Sequence, residues 1–448
     1  MLLEFRTKNF KSFKDELVFS MTPAPKQKGL DYSILKEKIA SKEYKCLSSA
    51  VIYGPNASGK TNIISAMDVL KNIILRGHIR NGDSKSKANP AAGQLELIPN
   101  RAVPKKTPVD FKIKFIANSL MFDYSLSLDL GSFLDEDYKR KVISEVFSVN
   151  EKLVFSRNSS LEFGDLNVIK KYAIVGFEEN EKSLFNLAKN NLNPSELFLM
   201  NGFKIMFSSK LSNIFKNWLE DKFMVFCRAD SLHSLPLNSK KATIYVNSTI
   251  NEAARIFGIN SNALGYLAND DDSEPKLVSL VGGGGGNMPV QAEVFESYGT
   301  IRFVNMFPII MSALVNGSTL VIDEFDASLH PMALMSIVNI FHNDEVNKKK
   351  AQLIFNTHNP IFLNSNLFRR DEIKFVERDD DTFCSTHYSL SDFGTSGRNG
   401  VRNGGEYMKN YFINQYGAIK DIDFTSVFEN LLESRGELVE NGAEPEGE

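Results

Sequence analysis

Cysteine is scarce in the 448-residue sequence, and Cys46, Cys227 and Cys384 lie far apart with no C-x-x-C pair. That excludes a disulfide framework or a thiolate metal site as the organising device, and the chain reads as reduced and cytoplasmic. Charge of one sign is missing too. A net charge of −3 provides no overall basic field, so any contact with nucleic acid would need a local patch. Long apolar runs are also absent. The longest, Phe303 to Val315, covers about 13 residues where a bilayer crossing needs about 20, so it reads as a buried helix and no membrane association is expected. The opening "MLLEFRTKNFKSF" carries charges every few residues where a secretory signal would hold an apolar core. Trp218 is the one tryptophan against 34 phenylalanines, which supply bulk for a core without pointing to any chemistry. With 42% hydrophobic and 24% charged residues, the chain has the composition of a globular protein of two or three subdomains.

The pattern along the chain is mixed. "LLEFRTKNFKSFKDELVFSM" alternates, turns and alternates again, predicting an N-terminal β-hairpin. "CLSSAVIYG" predicts a short strand ending at Gly54, and the next segment places Ile63, Ile64, Met67, Leu70, Ile73 and Ile74 on one helical face. Three alternating segments, "DFKIKFIA", "FDYSLSLDL" and "VISEVFSV", predict antiparallel strands that extend a β-layer. Residues 165–280 have helical patterns, and the run Gly282 to Gly286 after them reads as a mobile linker. A strand-and-helix rhythm then resumes: a helix over 300–315, the strand "STLVID", a helix over 331–342, and the strands "AQLIFNTH", "EIKFVER" and "TFCSTHYSL". The acidic, Gly- and Pro-broken C-terminus reads as disordered.

Three motifs carry chemistry. "GPNASGKT", comprising Gly54, Pro55, Asn56, Ala57, Ser58, Gly59, Lys60 and Thr61, fits G-x-x-x-x-G-K-[ST] between a strand and a helix. Backbone N–H groups in such a glycine turn, opening onto a helix N-terminus, can wrap the β-phosphate of ATP. Lys60 then reaches the β- and γ-phosphates, and the Thr61 hydroxyl holds Mg²⁺. "STLVIDEFDASLHP" is the second: a buried strand delivers Asp323, the carboxylate that serves Mg²⁺, and Glu324, placed to orient and deprotonate the attacking water. An apolar run ending in Asp-Glu is weak by itself and gains weight beside a phosphate loop. The third is "AQLIFNTHNP", where His358 at a strand end is placed to donate to the γ-phosphate and sense its hydrolysis.

In this order, and with "NFKSF", "GPNASGKTN", "ESYGT", "VIDEFDASLHP", "NTHNP", "LFRRDEIKFVER" and "YSLSDF" followed by "QYGAI", the chain resembles ABC-like AAA ATPases of the AbiLi and RloA kind from bacterial anti-phage systems. The ATPase of the PARIS system is a close alternative. The resemblance implies an α/β fold: an ABC-type P-loop ATPase head with a mixed central sheet, an antiparallel β-layer and an inserted, largely helical lobe. It implies an N-terminal half of the head over 1–164, the inserted lobe and Gly-rich linker over 165–286, a C-terminal half over 287–425 and an acidic disordered tail over 426–448. It adds Asn62 to the nucleotide-binding residues. It also implies that Ser297 and Gly299 act in trans, as a signature meeting the γ-phosphate held by another copy, with Ser328 in the loop linking the two sites. Glu296 and Tyr298 depart from that signature, which usually has Leu and a small residue there. Gln94 is the candidate for a glutamine joining Mg²⁺ to the inserted lobe.

A transporter motor would place its signature far closer to the phosphate loop, and an SMC-like clamp would fill the gap with long heptads; the aromatic, punctuated 165–280 fits neither. The acidic run "ERDDD", Glu377 to Asp381, falls between two alternating strands and reads as a solvated turn rather than a nuclease site. Arg369, Arg370, Arg398, Arg402 and Lys350 read by default as scattered surface charge, the alternative being a patch for nucleic acid or for an acidic partner. The expectation is a slow, homo-oligomeric ATPase using ATP and Mg²⁺, a head-to-head dimer or higher oligomer. It would sense a phage protein or DNA and control a separately encoded effector, such as a Toprim-like nuclease or a toxin. The alternative is a DNA-repair clamp, related to SMC and RecF proteins, that acts directly on DNA.

Overall fold

The computed structural model describes residues 1–25, 27, 29–80, 98–104, 107–131, 138–227, 244–256, 258, 263–267, 276–283, 286–394, 401, 405–420 and 422–440. Alternation in the first segments produces the expected hairpin of β1 (Leu2–Lys8) and β2 (Leu17–Ser20). A smaller hairpin, β3 (Ile34–Ile39) and β4 (Lys42–Leu47), precedes β5 (Ser49–Tyr53), and α1 (Lys60–Arg76) follows the phosphate loop. Then come β6 (Val109–Ala117), β7 (Leu120–Asp129), β8 (Lys141–Val149), β9 (Lys152–Arg157) and β10 (Leu161–Phe163). They join the first hairpin in a seven-stranded antiparallel sheet ordered β10-β9-β8-β7-β6-β1-β2.

The inserted segment begins with helices, α2 (Phe177–Asn190), α3 (Gly202–Met206) and α4 (Ser209–Asn217), followed by strand β11 (Phe223–Phe226). Its second half is a meander: β12 (Ile244–Val246), α5 (Ser248–Ile256), β13 (Ala263–Leu267), β14 (Lys276–Gly283) and β15 (Gly286–Gln291). Here the linker expected at Gly282 to Gly286 is corrected. Gly282 pairs with Asn287 and Gly283 with Gly286, so the run closes a β-hairpin. Flanking "KLVSLV" and "NMPVQ" fix the pairing, and glycine is well suited to the tight reversal.

The C-terminal part contains α6 (Ala292–Phe295), α7 (Tyr298–Asn316), β16 (Thr319–Ile322), α8 (Pro331–His342), β17 (Gln352–Asn356), β18 (Ile373–Arg378), β19 (Ser385–Ser389), α9 (Tyr407–Phe412) and α10 (Thr425–Glu440). A disordered tail was expected from 426; instead residues through Glu440 are helical, because Val427, Phe428, Leu431 and Leu432 recur at helical spacing within a segment rich in helix-forming residues. By length and composition α7 could cross a membrane, yet it carries the buried Arg302 and packs against β16 and α5.

The central sheet is ordered β11-β16-β17-β5-β18-β19, parallel except for β19. Both faces are covered, so the inner strands β5, β16 and β17 are mostly apolar and fully buried. Along β5 the period-2 rule sends Ala50 and Ile52 into the core shared with the antiparallel sheet and α1, and Val51 and Tyr53 into the core under α7 and α8. Many of the phenylalanines are in the first core, with Phe115 stacked on Trp218 at 3.8 Å and Phe122, Phe147 and Phe215 around them. At the amino ends of the strands, the His342 Nε2 lies 2.8 Å from Ser49 Oγ and 3.2 Å from Glu372 Oε1. Both contacts use one ring nitrogen and all three groups are buried, so this trio ties the sheet together and has no free nucleophile.

Candidate nucleotide site

Because β5, β16, β17 and β18 run parallel, the residues after Tyr53, Ile322, Asn356 and Arg378 emerge at one end of the sheet, where ligands of such sheets bind. Strand β17 lies between β5 and β16. It can therefore touch both the phosphate loop and the Asp-Glu turn.

The phosphate loop is shaped by close approach. A Cβ on Gly54 would meet the Val376 carbonyl oxygen at 2.3 Å and Ser58 Oγ at 2.6 Å. Gly59, at φ +112°, would bring a Cβ to 2.7 Å from the hydroxyls of Ser12 and Ser385, so only glycine fits either place. Ser385 Oγ donates to the Ser58 carbonyl and Arg378 to the Ala57 carbonyl at 3.2 Å, tying the loop to the β18–β19 hairpin. Lys60 is 6% exposed and donates to the carbonyls of Gly54 and Pro55 at 2.8 and 3.0 Å. Burial pulls its pKa down to about 8 against the attraction of Asp323, Glu324 and Asp326.

Thr61 Oγ1 donates to Asp323 Oδ1 at 3.2 Å, across from the loop to the end of β16. The Asn356 side chain spans the same turn, donating to Asp323 Oδ1 and accepting from the Glu324 N–H at 2.5 Å. Burial raises the Asp323 pKa, and the bonds from Asn356 and Thr61 oppose the rise. Glu324 is exposed, with φ +48° in the left-handed region. Asp326 accepts from Thr357 Oγ1 at 2.6 Å, and burial raises its pKa as well. His358 projects beside them; burial and then the Lys60 charge hold its pKa below the usual value, which keeps the ring neutral at pH 7.

Ser297 caps α7, its Oγ accepting from the Thr300 N–H at 3.2 Å. A Cβ on Gly299 would sit 2.4 Å from the Ser328 carbonyl oxygen, so Ser297, Gly299 and Ser328 share one surface. Among the described residues no hydrogen bond joins them to Lys60 or Thr61. Glu296 accepts from Ser279 of β14 at 2.9 Å, which anchors this surface to the meander.

Residues 49–364 match the family described as "AAA domain, putative AbiEii toxin, Type IV TA system". The chain belongs to that family. No curated protein matches its sequence. Solved structures similar in outline include the SMC head domain from Thermotoga maritima, 14% identical over 87% of this chain and 98% of that one with a TM-score of 0.34. An Smc head bound to the C-winged helix domain of ScpA is 13% identical, over 87% and 98%, at 0.39. The Smc head with an extended coiled coil, bound to the C-terminal domain of ScpA from Pyrococcus furiosus, is 13% identical, over 87% and 97%, at 0.36.

Within this AbiEii-type AAA domain the site draws together Gly54 to Asn62, Asp323, Glu324 and His358; Gln94 lies outside the described residues. The reading of a basic patch is corrected: Arg369 and Arg370 are buried, Arg369 pairing with Asp371 at 2.9 Å, and Lys350 pairs with Glu37. Arg398 and Arg402 also lie outside the described residues. The run Asp379 to Asp381 forms the β18–β19 turn, with Asp379 accepting from the Thr382 N–H at 2.7 Å. Sequence reasoning missed Asn356, Thr357, Asp326 and Arg302. The first two are legible as the polar "NT" that ends an apolar strand before His358, and Arg302 as the lone charge in an apolar helix.

Beside the first turn of α1 is a cleft of about 210 Å³ lined by Lys11, Ser12, Asn62, Asn100, Arg378 and Phe383 among others. Phe383 is 48% exposed at φ +56°, with the Arg378 and Arg101 guanidinium groups 5.2 and 5.6 Å from its ring centre. A bulky side chain in the left-handed region is strained and is held there by its surroundings.

Proposed function

We propose that the chain is an ABC-type ATPase that binds ATP and hydrolyses it slowly, working as a homo-oligomer whose heads share nucleotide. The observation that carries this reading is the convergence of Lys60, Thr61, Asp323 and Glu324 at one end of a parallel sheet, with Thr61 Oγ1 and Asp323 Oδ1 3.2 Å apart. The loop fits a phosphate: Gly54 and Gly59 let it pack tightly against Val376, Ser12 and Ser385 ahead of the α1 N-terminus, and the Ser58 Oγ is buried with no protein partner. Lys60 would neutralise the β- and γ-phosphates, and the cleft lined by Asn62 and Phe383 beside the loop would take the nucleoside.

Thr61 and Asp323 are the residues that would hold Mg²⁺. Among the described residues no cluster of three acidic, His or Cys side chains competes for it, which suits a cation completed by phosphate oxygens and water. The ion, when bound, supplies charge neutralisation on the phosphates. Glu324 lies one residue beyond Asp323 with its carboxylate exposed, where it can accept a proton from the attacking water. His358, neutral at pH 7, can donate from one ring nitrogen to the γ-phosphate. Ser297, Gly299 and Ser328, grouped on one surface away from Lys60, suit a contact with the γ-phosphate on a second copy.

We assign this ATPase to bacterial anti-phage defence, as a cytoplasmic sensor or scaffold for a separately encoded effector, a nuclease or toxin. The family description, with its toxin and its type IV system, supports that setting, and the acidic run forms the β18–β19 turn. A clamp acting directly on DNA is the second reading, and it would need a basic surface other than Arg369, Arg370 and Lys350, which are buried or paired. The test is Glu324→Gln. It should cut ATP turnover by roughly 10²- to 10⁴-fold and trap an ATP-dependent dimer seen by light scattering; turnover at the normal rate would remove Glu324 as the base.

A further inference from the structure

We propose that Arg302 is a positioning residue that couples engagement of a second copy at the start of α7 to the geometry of Glu324. The inference rests on the ATPase reading above and adds to it how the shared site is switched.

Arg302 is the one charge between Thr300 and Val315, in a helix whose other core positions are apolar apart from Thr300. Its residue is 8% exposed, its Nε reaches no partner, and one terminal nitrogen donates to the Glu324 carbonyl. Burying this guanidinium costs solvation that the bond to Glu324 and the nearby Asp326 carboxylate offset, and packing alone would be served by an apolar side chain. Its presence is explained by what it holds.

Glu324 is a non-glycine residue at φ +48°, a conformation that persists only where neighbours enforce it. Asn356, at the end of β17, fixes the N–H of Glu324, and Arg302, on α7, fixes its carbonyl. The two peptide groups flanking the Glu324 Cα are therefore clamped by different elements. The Glu324 carbonyl also accepts from the Ala327 N–H at 3.2 Å, so Arg302 pulls on the whole turn, and a shift of α7 relative to β17 would reorient the Glu324 carboxylate through it. Asp326, also attracted to Arg302, lies in the same turn.

The other end of this lever is the composite surface. Arg302 follows Ser297 by five residues, a rise of roughly 7.5 Å along a stiff helix, and Gly299 packs on the Ser328 carbonyl at the far end of the turn that begins with Asp323. The turn thus touches α7 at two points, one at the surface offered to the second copy and one at Glu324. A phosphate seated at Ser297 would draw α7, and with it Arg302, into the place that aims the carboxylate at water. Heads without a partner would keep ATP unhydrolysed.

The test uses the full chain with Arg302→Met, which keeps length and apolar fit without the donors, and Arg302→Lys, which keeps the charge. Steady-state kcat and KM for ATP and ATP-dependent association by sedimentation are compared, with Glu324→Gln alongside. Arg302→Met should lower kcat by about 10²-fold while KM and association stay within about twofold, and Arg302→Lys should recover part of kcat. An unchanged kcat in Arg302→Met overturns the inference, as does a joint loss of kcat and association, which would mark a purely structural role. Should Arg302→Met fail to fold, Arg302→Lys decides: reduced kcat with intact association supports the coupling and a normal kcat overturns it. Absence of ATP turnover by the native chain would instead remove the ATPase reading itself, and normal turnover by Glu324→Gln would remove Glu324 as the base, so these failures are distinct from that of Arg302.

Discussion

At the scale of single residues, Lys60 sets a pH dependence whose sign follows from its surroundings. Burial lowers its pKa to about 8 from an ordinary value of 10.5. A bound phosphate favours the ammonium form and so raises the pKa in the complex. ATP affinity should therefore be flat below pH 8 and weaken by about tenfold per pH unit above it, until the pKa of the bound state is reached. Calorimetric titration between pH 7 and 9.5 checks this. Lys60→Arg, which stays charged throughout, should bind with an affinity that does not fall over that range. A pH-independent Kd for the native protein would mean that Lys60 is not the phosphate ligand.

At the scale of elements, the close approach of α7 to the Asp-Glu turn makes Gly299 a sensitive position. Its Cβ-to-be lies 2.4 Å from the Ser328 carbonyl oxygen. Gly299→Ala should push the two apart at a cost of about 1–3 kcal/mol, leaving ATP affinity near normal while association-dependent hydrolysis drops at least about tenfold. A thermal melt, ATP binding and turnover together measure it, and wild-type turnover would show that the contact is dispensable. This contact joins residues far apart in sequence, which is why no local pattern announced it. What was legible came from periodicity and from turn chemistry: the apolar face from Ile63 to Ile74 is buried as a stripe, and "GPNASGKT" forms its loop between a strand and a helix. What was not legible depended on pairing partners. Five glycines look like slack until "KLVSLV" finds "NMPVQ" and closes the hairpin. Arg369 and Arg370 look like surface charge until their bonds to Asp371 and to the Leu390 carbonyl place them inside. Asn356 bridges Asp323 and Glu324 only because β17 lies between β5 and β16, an order that follows from folding the whole chain.

At the scale of the whole molecule, the proposed assembly would make each chain half of two sites. Lys60 and Thr61 sit at the end of β5, while Ser297, Gly299 and Ser328 form a separate surface with no hydrogen bond to them among the described residues. If that surface serves only a neighbour, defects in the two halves should complement. Lys60→Ala should lose ATP binding. Ser297→Arg should keep ATP binding to the single head and lose both hydrolysis and ATP-dependent association, since the Ser297 hydroxyl and the cap it gives α7 are replaced by a bulky cation at the docking face. Each protein alone is then inactive. In an equimolar mixture neither variant pairs with itself under ATP, so the dimers that form contain one of each chain, and each rebuilds one intact site of its two, so at most about half of the native sites return. ATP turnover in the mixture should rise well above that of either variant and scale with the product of their concentrations. A mixture no more active than its components would place Ser297 in its own chain's site or outside catalysis, and the shared-nucleotide assembly would have to be abandoned.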